Sequence, residues 1–389
     1  MPKFFPAYRA ICCGLYKLCA FAYNGQYGKG EKSIDFLTLE RSVWTRLREE
    51  TRPVVLYGMG DGADKILDRF AQLGITAAGV FASDEFVRGH SFRGFRVHKL
   101  SEIIGQFGED IAIVIAFASQ RPEVLEKMYG LDARFDVVAP DVPVVPGPVF
   151  DEVFVRAHQE ELAQAYALLA DELSRRVFLD TVRFKLSGKL QYLRASETGK
   201  DEIFRTVLQP TGAEHFADLG AYNGDTIREL LSYTGGAFAS ITALEPDRRN
   251  FRKLSAWAES SLSGAVELVQ AGAWSEDTVL RFSDKAGRQS KVAETGRETQ
   301  MRALDSVLGG RPCTCLKMDV EGAEREVIRG AAQTIRQYHP KLNIAAYHRS
   351  ADFFELPLLI HALCPDYRLY LRHHPYVPAW DTNLYAACP

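Results

Sequence analysis

Long apolar runs are scarce in this 389-residue chain. The stretch near its start, "YRAICCGLYKLCAFAY", is broken by Arg9 and Lys17, and no uninterrupted run there approaches the ~20 residues needed to cross a bilayer. It also lacks the clean apolar core and cleavage site of a secretory leader. Residues 1–50 are therefore expected to be a helical segment that docks on the protein or on a partner, and the chain to be cytoplasmic. A weak membrane-surface contact, or a homo-oligomer contact through this helix, is the second reading. Cysteine is also scarce. The seven present (Cys12, Cys13, Cys19, Cys313, Cys315, Cys364 and Cys388) form no repeated framework, which excludes a disulfide scaffold and suits a reducing compartment. Cys313-Thr314-Cys315 has no partner pair at matching spacing, so these two read as buried strand thiols rather than a metal site. An excess of either charge is absent as well: the net charge is -3 and the pI about 6.3, which argues against a nucleic-acid partner. Repeats and low-complexity tracts are missing.

What remains is ordinary globular composition, 47% hydrophobic and 25% charged, in a chain long enough for two domains. Val54 to Tyr57 is a compact apolar strand followed by "GMGDGADKILDRF". There Gly58 and Gly60 permit a tight turn, and Ile66, Leu67 and Phe70 share a helical face. "ITAAGVFASD" reads as a second strand closing on Asp84, and "IAIVIAFAS" as a third, apolar enough to be covered on both faces. This βαβ pattern places an acid where a dinucleotide ribose would bind. Against that reading, Gly62 leaves the third glycine of the dinucleotide pattern out of place, so a plain strand-to-helix connection is preferred. "APDVPVVPGPVF" closes this unit, and Asp151 to Arg176 reads as one connector helix with Val155, Leu162, Tyr166, Leu169 and Leu173 on its buried face.

A second α/β unit begins at "HFADLGAYNGDTIREL". Asp218, Gly220 and Gly224 form D-x-G-x-x-x-G at a strand end, and Asp225 and Thr226 suit the first turn of the following helix. An acid stands where a diphosphate-binding loop has its first glycine, which favours a cationic ligand over a phosphate. Glu245 ends the next strand, roughly twenty residues after the loop, where an acid accepts ribose hydroxyls. Together these features suggest an adenosyl ligand without phosphates, and S-adenosylmethionine fits. A third strand, "AVELVQAGAW", brings Ala273 and Trp274 toward the same crevice, where they flank adenine or pack in the core. In "CLKMDVEGAEREVIRGA", Asp319 ends a fourth strand, Gly322 lies in the turn, and Glu324 joins Val327, Ile328 and Ala331 on a helix. Asp319 and Glu321 should face the crevice that Asp218 and Glu245 line.

"ADLGAYNGDT", "ALEPDRRNFRKL", "LKMDVEGAEREVIRGA", "LNIAAYHRSADFFELPLLI" and the closing "YLRHHP…DTNLYA" resemble the FkbM-type methyltransferases, from about Phe178 to the C-terminus. With the βαβ pattern at 51–150, which lies outside this resemblance, the chain is expected to be α/β with two Rossmann-like units. The C-terminal unit would have a class I methyltransferase fold, its sheet mostly parallel with an antiparallel C-terminal strand. Domains are expected at 51–150 (Rossmann-like), 151–177 (connector) and 178–389 (methyltransferase). By motif match the resemblance puts cofactor contacts on Asp218, Gly220, Asn223, Gly224 and Glu245, and active-site proximity on Asp319 and His348; Ala221 and Asp225, in the same turn, are further candidate cofactor contacts. It also implies O-methylation of a hydroxyl on a sugar, glycan or secondary metabolite.

Such a hydroxyl must lose its proton, which calls for a base within reach. His348 is the first choice, and Asp319, acting with Glu321, is the second. A divalent ion shared by Asp319, Glu321 and a substrate diol has too thin a ligand set, so no metal is predicted. "RFKLSGKLQYLRASE", with Lys189, Tyr192 and Arg194, reads either as a cover over the pocket or as an exposed amphipathic strand. The rival functions are an NAD(P)-binding oxidoreductase and a non-catalytic nucleotide- or nucleotide-sugar-binding module.

Overall fold

The computed structural model describes residues 34–282 and 296–389, so the helix expected at the N-terminus lies outside the described residues. Apolar strands of four or five residues, separated by helices, build two mostly parallel sheets. The first contains β1 (Val54–Tyr57), β2 (Gly79–Phe81), β3 (Ser91–Phe92), β4 (Phe95–His98), β5 (Ala112–Ile115) and β6 (Asp136–Val138), in the order β3-β4-β2-β1-β5-β6. Only the β3–β4 hairpin in it is antiparallel. Every residue of β1 and β5 is buried, as central parallel strands with both faces covered must be. The turn after β1 is shaped by packing: a Cβ at Gly62 would lie 2.5 Å from the Ala116 carbonyl oxygen. Asp84, expected at a strand tip, instead opens a short 3-10 turn, Asp84–Phe86, and is exposed near Lys99.

The C-terminal half adds β7 (His215–Leu219), β8 (Ser240–Leu244), β9 (Ala265–Val269), β10 (Gly272–Ala273), β11 (Thr278–Phe282), β12 (Arg297–Arg302), β13 (Cys315–Met318), β14 (Lys341–Ala345), β15 (Arg368–His373) and β16 (Thr382–Ala387). Seven of these form the sheet β15-β16-β14-β13-β7-β8-β9. Strands β9, β8, β7, β13 and β14 run parallel, while β16 pairs antiparallel with both β14 and β15. The strand order reverses between β7 and β13, which opens a crevice beyond their carboxyl ends. The stretch "AVELVQAGAW" does not run on as one strand. β9 stops at Val269, and β10 joins a separate three-stranded sheet, β10-β12-β11.

The expected single connector helix is three helices, Glu152–Ala157, Gln159–Leu168 and Glu172–Ser187. Asp151 caps the first of them and Asp171 the last. The side chain of an aspartate bonds to backbone amides most readily at a helix start, so these two acids punctuate a stretch whose apolar spacing looked continuous. Helix Glu172–Ser187 touches both sheets. Ser174 Oγ accepts from the Leu371 amide of β15 at 3.0 Å, and Gly188, just past the helix end, accepts from the Ala139 amide at 2.8 Å. Lys185 and Asp141 form a buried ion pair at 2.8 Å across the same seam. "RFKLSGKLQYLRASE" is helical, neither lid nor strand. Leu190 and Leu193 sink into the core beside the first sheet, Lys189 and Tyr192 bond to Glu40, and Arg194 lies over the Tyr129 ring. Among the described residues no helix is long and apolar enough to cross a membrane.

Candidate functional site

A lysine inside a fully buried strand needs a partner, because an unpaired ammonium out of water is costly. Lys317 lies in β13, all of whose residues are buried, and its register partner on β7 is Asp218. Lys317 Nζ sits 3.3 Å from Asp218 Oδ1 and donates to the Gly220 carbonyl at 3.0 Å. Burial alone would lower the lysine pKa, but the Asp218 carboxylate beside it outweighs that and raises it. Asp218 Oδ2 accepts from Thr226 Oγ1 at 2.8 Å, and the residue is fully buried. This corrects the expectation that Asp218 presents open negative charge to a ligand. Its charge is spent on Lys317, and its second oxygen ties the turn to the first turn of helix Asp225–Tyr233.

The turn itself is strapped to β8, since the amides of Gly220 and Ala221 both donate to the Leu244 carbonyl at 3.0 Å. Gly220 has φ +83°, and a Cβ there would stand 1.9 Å from the Asp319 carbonyl oxygen. The glycine is thus required by the approach of the β7 and β13 loops, a reason different from the ligand clearance the sequence suggested. Glu245, directly after β8, is buried and aimed by two backbone donors: Tyr222 N–H reaches Oε2 and Asp247 N–H reaches Oε1, both at 2.8 Å. Burial pushes its pKa up to about 6. Tyr222 carries a positive φ of 48° and an exposed side chain.

Other expected cofactor contacts are engaged locally. Asn223 Oδ1 accepts from Arg228 at 2.9 Å, and Asp225 Oδ1 accepts from the Thr226 amide at 3.0 Å. Gly224, at φ +85°, packs against the Trp257 ring. Ala273 is buried in β10, which starts beside Pro246, the residue after Glu245. Trp274 is half-buried and donates its amide to the Arg302 carbonyl at 2.9 Å.

The ends of β13 and β14 carry the densest cluster of ionisable groups around this crevice. His348 is 1% exposed. Its Nδ1 donates to Glu324 Oε1 at 2.9 Å, while Nε2 lies 3.4 Å from Asp319 Oδ1 and 3.5 Å from Glu321 Oε2. Glu324 is held in turn by the Val320 and Gly322 amides at 3.1 and 3.3 Å. Burial would lower the His348 pKa, but Glu324, with Asp319 and Glu321 behind it, raises it to about 9. At neutral pH the ring is an imidazolium and has no lone pair to offer a proton. Asp319 and Glu321 thus stand beside a ring whose surroundings favour its protonated form. Tyr347 stacks beside the imidazole at 4.3 Å and its hydroxyl approaches Asp319 at 3.4 Å. Glu321 adopts φ +52°, an uncommon conformation for a residue with a side chain. Donor atoms of Asp319, Glu324 and His348 also lie within 4.8 Å of one another, but the Nδ1–Glu324 hydrogen bond commits two of them to each other.

Three participants escaped the sequence reading. Glu324 looked like a helix-face residue and Lys317 like a strand residue. The signal for both was a charge inside an apolar run. Val145, from the Pro-rich segment after the first sheet, donates its amide to the His348 carbonyl at 3.3 Å, and its side chain abuts the Gly322 turn. No local pattern foretold that contact.

Residues 218–378 match the family described as the methyltransferase FkbM domain. The chain carries an FkbM-family methyltransferase domain. It is accordingly a methyltransferase that uses S-adenosylmethionine. The crystal structure of methyltransferase FkbM from Methylobacillus flagellatus KT has a similar fold, with a TM-score of 0.67 at 19% identity, over 96% of this chain and 99% of that one. Looser likenesses, on which nothing rests, include an rRNA methylase from Streptococcus thermophilus (TM-score 0.32, 13% identity, 48% of this chain and 92% of that one). Another is Aeropyrum pernix fibrillarin bound to S-adenosyl-L-methionine (TM-score 0.30, 12% identity, 45% and 66%). A comparison with curated proteins finds no match.

The FkbM crevice suits a cationic, phosphate-free cofactor. Asp319, Glu321 and Glu245 gather at its strand ends, and the lysine that would attract a diphosphate is neutralised by Asp218. Of the four acids expected at the crevice, Asp218 is the one whose charge is taken up inside the fold.

Proposed function

We propose that this FkbM domain O-methylates a hydroxyl on a sugar, glycan or secondary metabolite. Glu245 would take the ribose, the Gly220–Asp225 turn would cradle the amino-acid end, and Ala273 and Trp274 would flank the adenine. S-adenosylmethionine supplies an electrophilic methyl group. The protein must then align the acceptor, keep water out and take a proton. The observation that carries the reading is the placement of Asp319 3.4 Å from a buried, charged His348. The Asp319 carboxylate would accept the proton from the hydroxyl. The imidazolium, oriented by Glu324, offers its Nε2–H to the oxygen that becomes electron-rich as the proton leaves.

Labelled cofactor and a panel of sugar, polyol, amine and carboxylate acceptors test this. Label should pass to hydroxyls, and Asp319→Asn should slow transfer by about 10²–10⁴-fold, the usual worth of a general base, a loss well beyond any fall in cofactor affinity. Preferential labelling of amines, or an undiminished Asp319→Asn enzyme, would refute it.

A further inference from the structure

At the opposite end of the seven-stranded sheet, three chain segments bring together donors that the methyl-transfer chemistry does not use. His339 is the left-handed cap after helix Ala332–Tyr338 and stands two residues before β14. Cys364 caps helix Asp352–Leu363, and Asp366 lies in the turn that leads into β15. Donor atoms of His339, Cys364 and Asp366 all lie within 4.8 Å of one another. Cys388 directly follows β16, and its thiol lies close to that of Cys364. His339, Asp366 and Cys388 line one surface cleft. We propose that His339, Cys364, Asp366 and Cys388 form a tetrahedral site for a thiophilic divalent cation, Zn²⁺ by preference.

The donor set argues for that ion. Two thiolates, an imidazole and a carboxylate are soft to borderline ligands, which select zinc over magnesium or calcium. Bonds of about 2.3 Å to sulfur and about 2.0 Å to nitrogen or oxygen put the edges of a tetrahedron at roughly 3.3–3.8 Å. Contraction from the present spacing needs rotamer changes of His339 and Asp366, both exposed. The backbone around them is already braced. Tyr367 donates its hydroxyl to the Pro340 carbonyl at 2.7 Å, tying the His339 turn to the Cys364–Tyr367 turn. Ala387, the residue before Cys388, pairs with Arg368 of β15. His339, Cys364 and Cys388 each precede a proline, which restricts the chain at all three positions. The five residues of β14, at about 3.3 Å each, separate this cluster from His348, so the ion would staple the C-terminus without touching the reaction. With four protein donors the site is closed, as structural zinc sites are.

The full-length protein, stripped with chelator and reloaded with Co²⁺, tests the proposal. We expect one cobalt per chain, a sulfur-to-cobalt charge-transfer band with intense tetrahedral ligand-field bands, and a higher melting temperature on replacement by Zn²⁺. The band should persist in Cys12→Ser/Cys13→Ser/Cys19→Ser and vanish in Cys364→Ser/Cys388→Ser, with methyl transfer unchanged in that double variant. His339→Ala should leave a weaker site from which chelator removes the ion faster. The proposal is overturned if no thiolate band forms, if the Cys364→Ser/Cys388→Ser protein still takes up the stoichiometric ion, or if intact-mass analysis of unreduced protein finds those two cysteines joined as a disulfide.

Discussion

The pH dependence of transfer separates the two proton acceptors that the crevice offers. With a pKa of about 9, roughly 1% of His348 is neutral at pH 7, and removing its proton there costs about 2.7 kcal/mol. If Asp319 is the acceptor and the imidazolium its partner, kcat/KM should be flat through neutrality and fall as pH rises past about 9. If neutral His348 were the base, kcat/KM would climb about tenfold per unit up to the same pKa. The assay is initial-rate transfer of labelled methyl across pH 6–10 with the identified acceptor. A rising limb would refute the assignment. Glu324→Gln supplies the control, because it removes the main charge that raises His348. The alkaline fall should move toward the ordinary histidine value of about 6.5, and an unmoved limb would show that Glu324 is not the cause. The same proton is linked to folding. A histidine whose pKa is raised in the folded state contributes stability that is complete below about 6.5 and is lost as pH climbs through about 9. The melting temperature should therefore decline across that window, and less so in Glu324→Gln.

Three further substitutions probe the frame of the crevice. Gly220→Ala places a Cβ 1.9 Å from the Asp319 carbonyl oxygen at φ +83°, and should destabilise the fold by more than about 2 kcal/mol; a wild-type urea midpoint would contradict this. Lys317→Met strands the Asp218 carboxylate in the core and should cost about 3–5 kcal/mol, while Asp218→Asn/Lys317→Met recovers much of it; equal losses in the single and double variants would mean the pair is not coupled. Glu245→Ala should weaken S-adenosylmethionine binding about 10–100-fold, the range for a lost charged hydrogen bond, and unaltered affinity by calorimetry would move the ribose elsewhere.

What the chain revealed before folding was whatever repeats locally. The strands β1, β7, β8 and β13 were legible because short apolar runs end in glycine or an acid, β5 because its apolar run is long, and the resemblance in "ADLGAYNGDT" and "DVEGAE" placed the crevice at the tips of β7, β8 and β13. The helical stretch at 151–176 was legible only in outline, because its interruptions depend on the capping acids Asp151 and Asp171 rather than on a gap in apolar spacing. Charge state was the least visible property. Asp218 reads from sequence as an open carboxylate, and only the cross-strand register shows Lys317 cancelling it. His348 likewise reads as a base until three acids from one turn and the helix after it surround the ring.

The same cluster shows why the first sheet cannot be treated as a detachable neighbour of the FkbM domain. The segment leaving β6 runs along the His348 cluster: Val145 donates to the His348 carbonyl, Ser350 Oγ donates to the Pro148 carbonyl at 2.6 Å, and Val145 fills the space that Gly322 leaves open. Gly322 lies between Glu321 and the Glu324 that fixes His348, so the conformation of this turn is set partly by chain from the N-terminal half. The likeness of fold to the Methylobacillus flagellatus methyltransferase extends over 96% of this chain and is not confined to the seven-stranded sheet. Physically, an imidazolium ringed by carboxylates keeps its geometry only if the backbone carrying it cannot move. The prolines flanking Val145 (Pro143, Pro146 and Pro148) restrict φ at just the stretch that presses on that backbone. Through those contacts the segment after β6 braces the His348 loop.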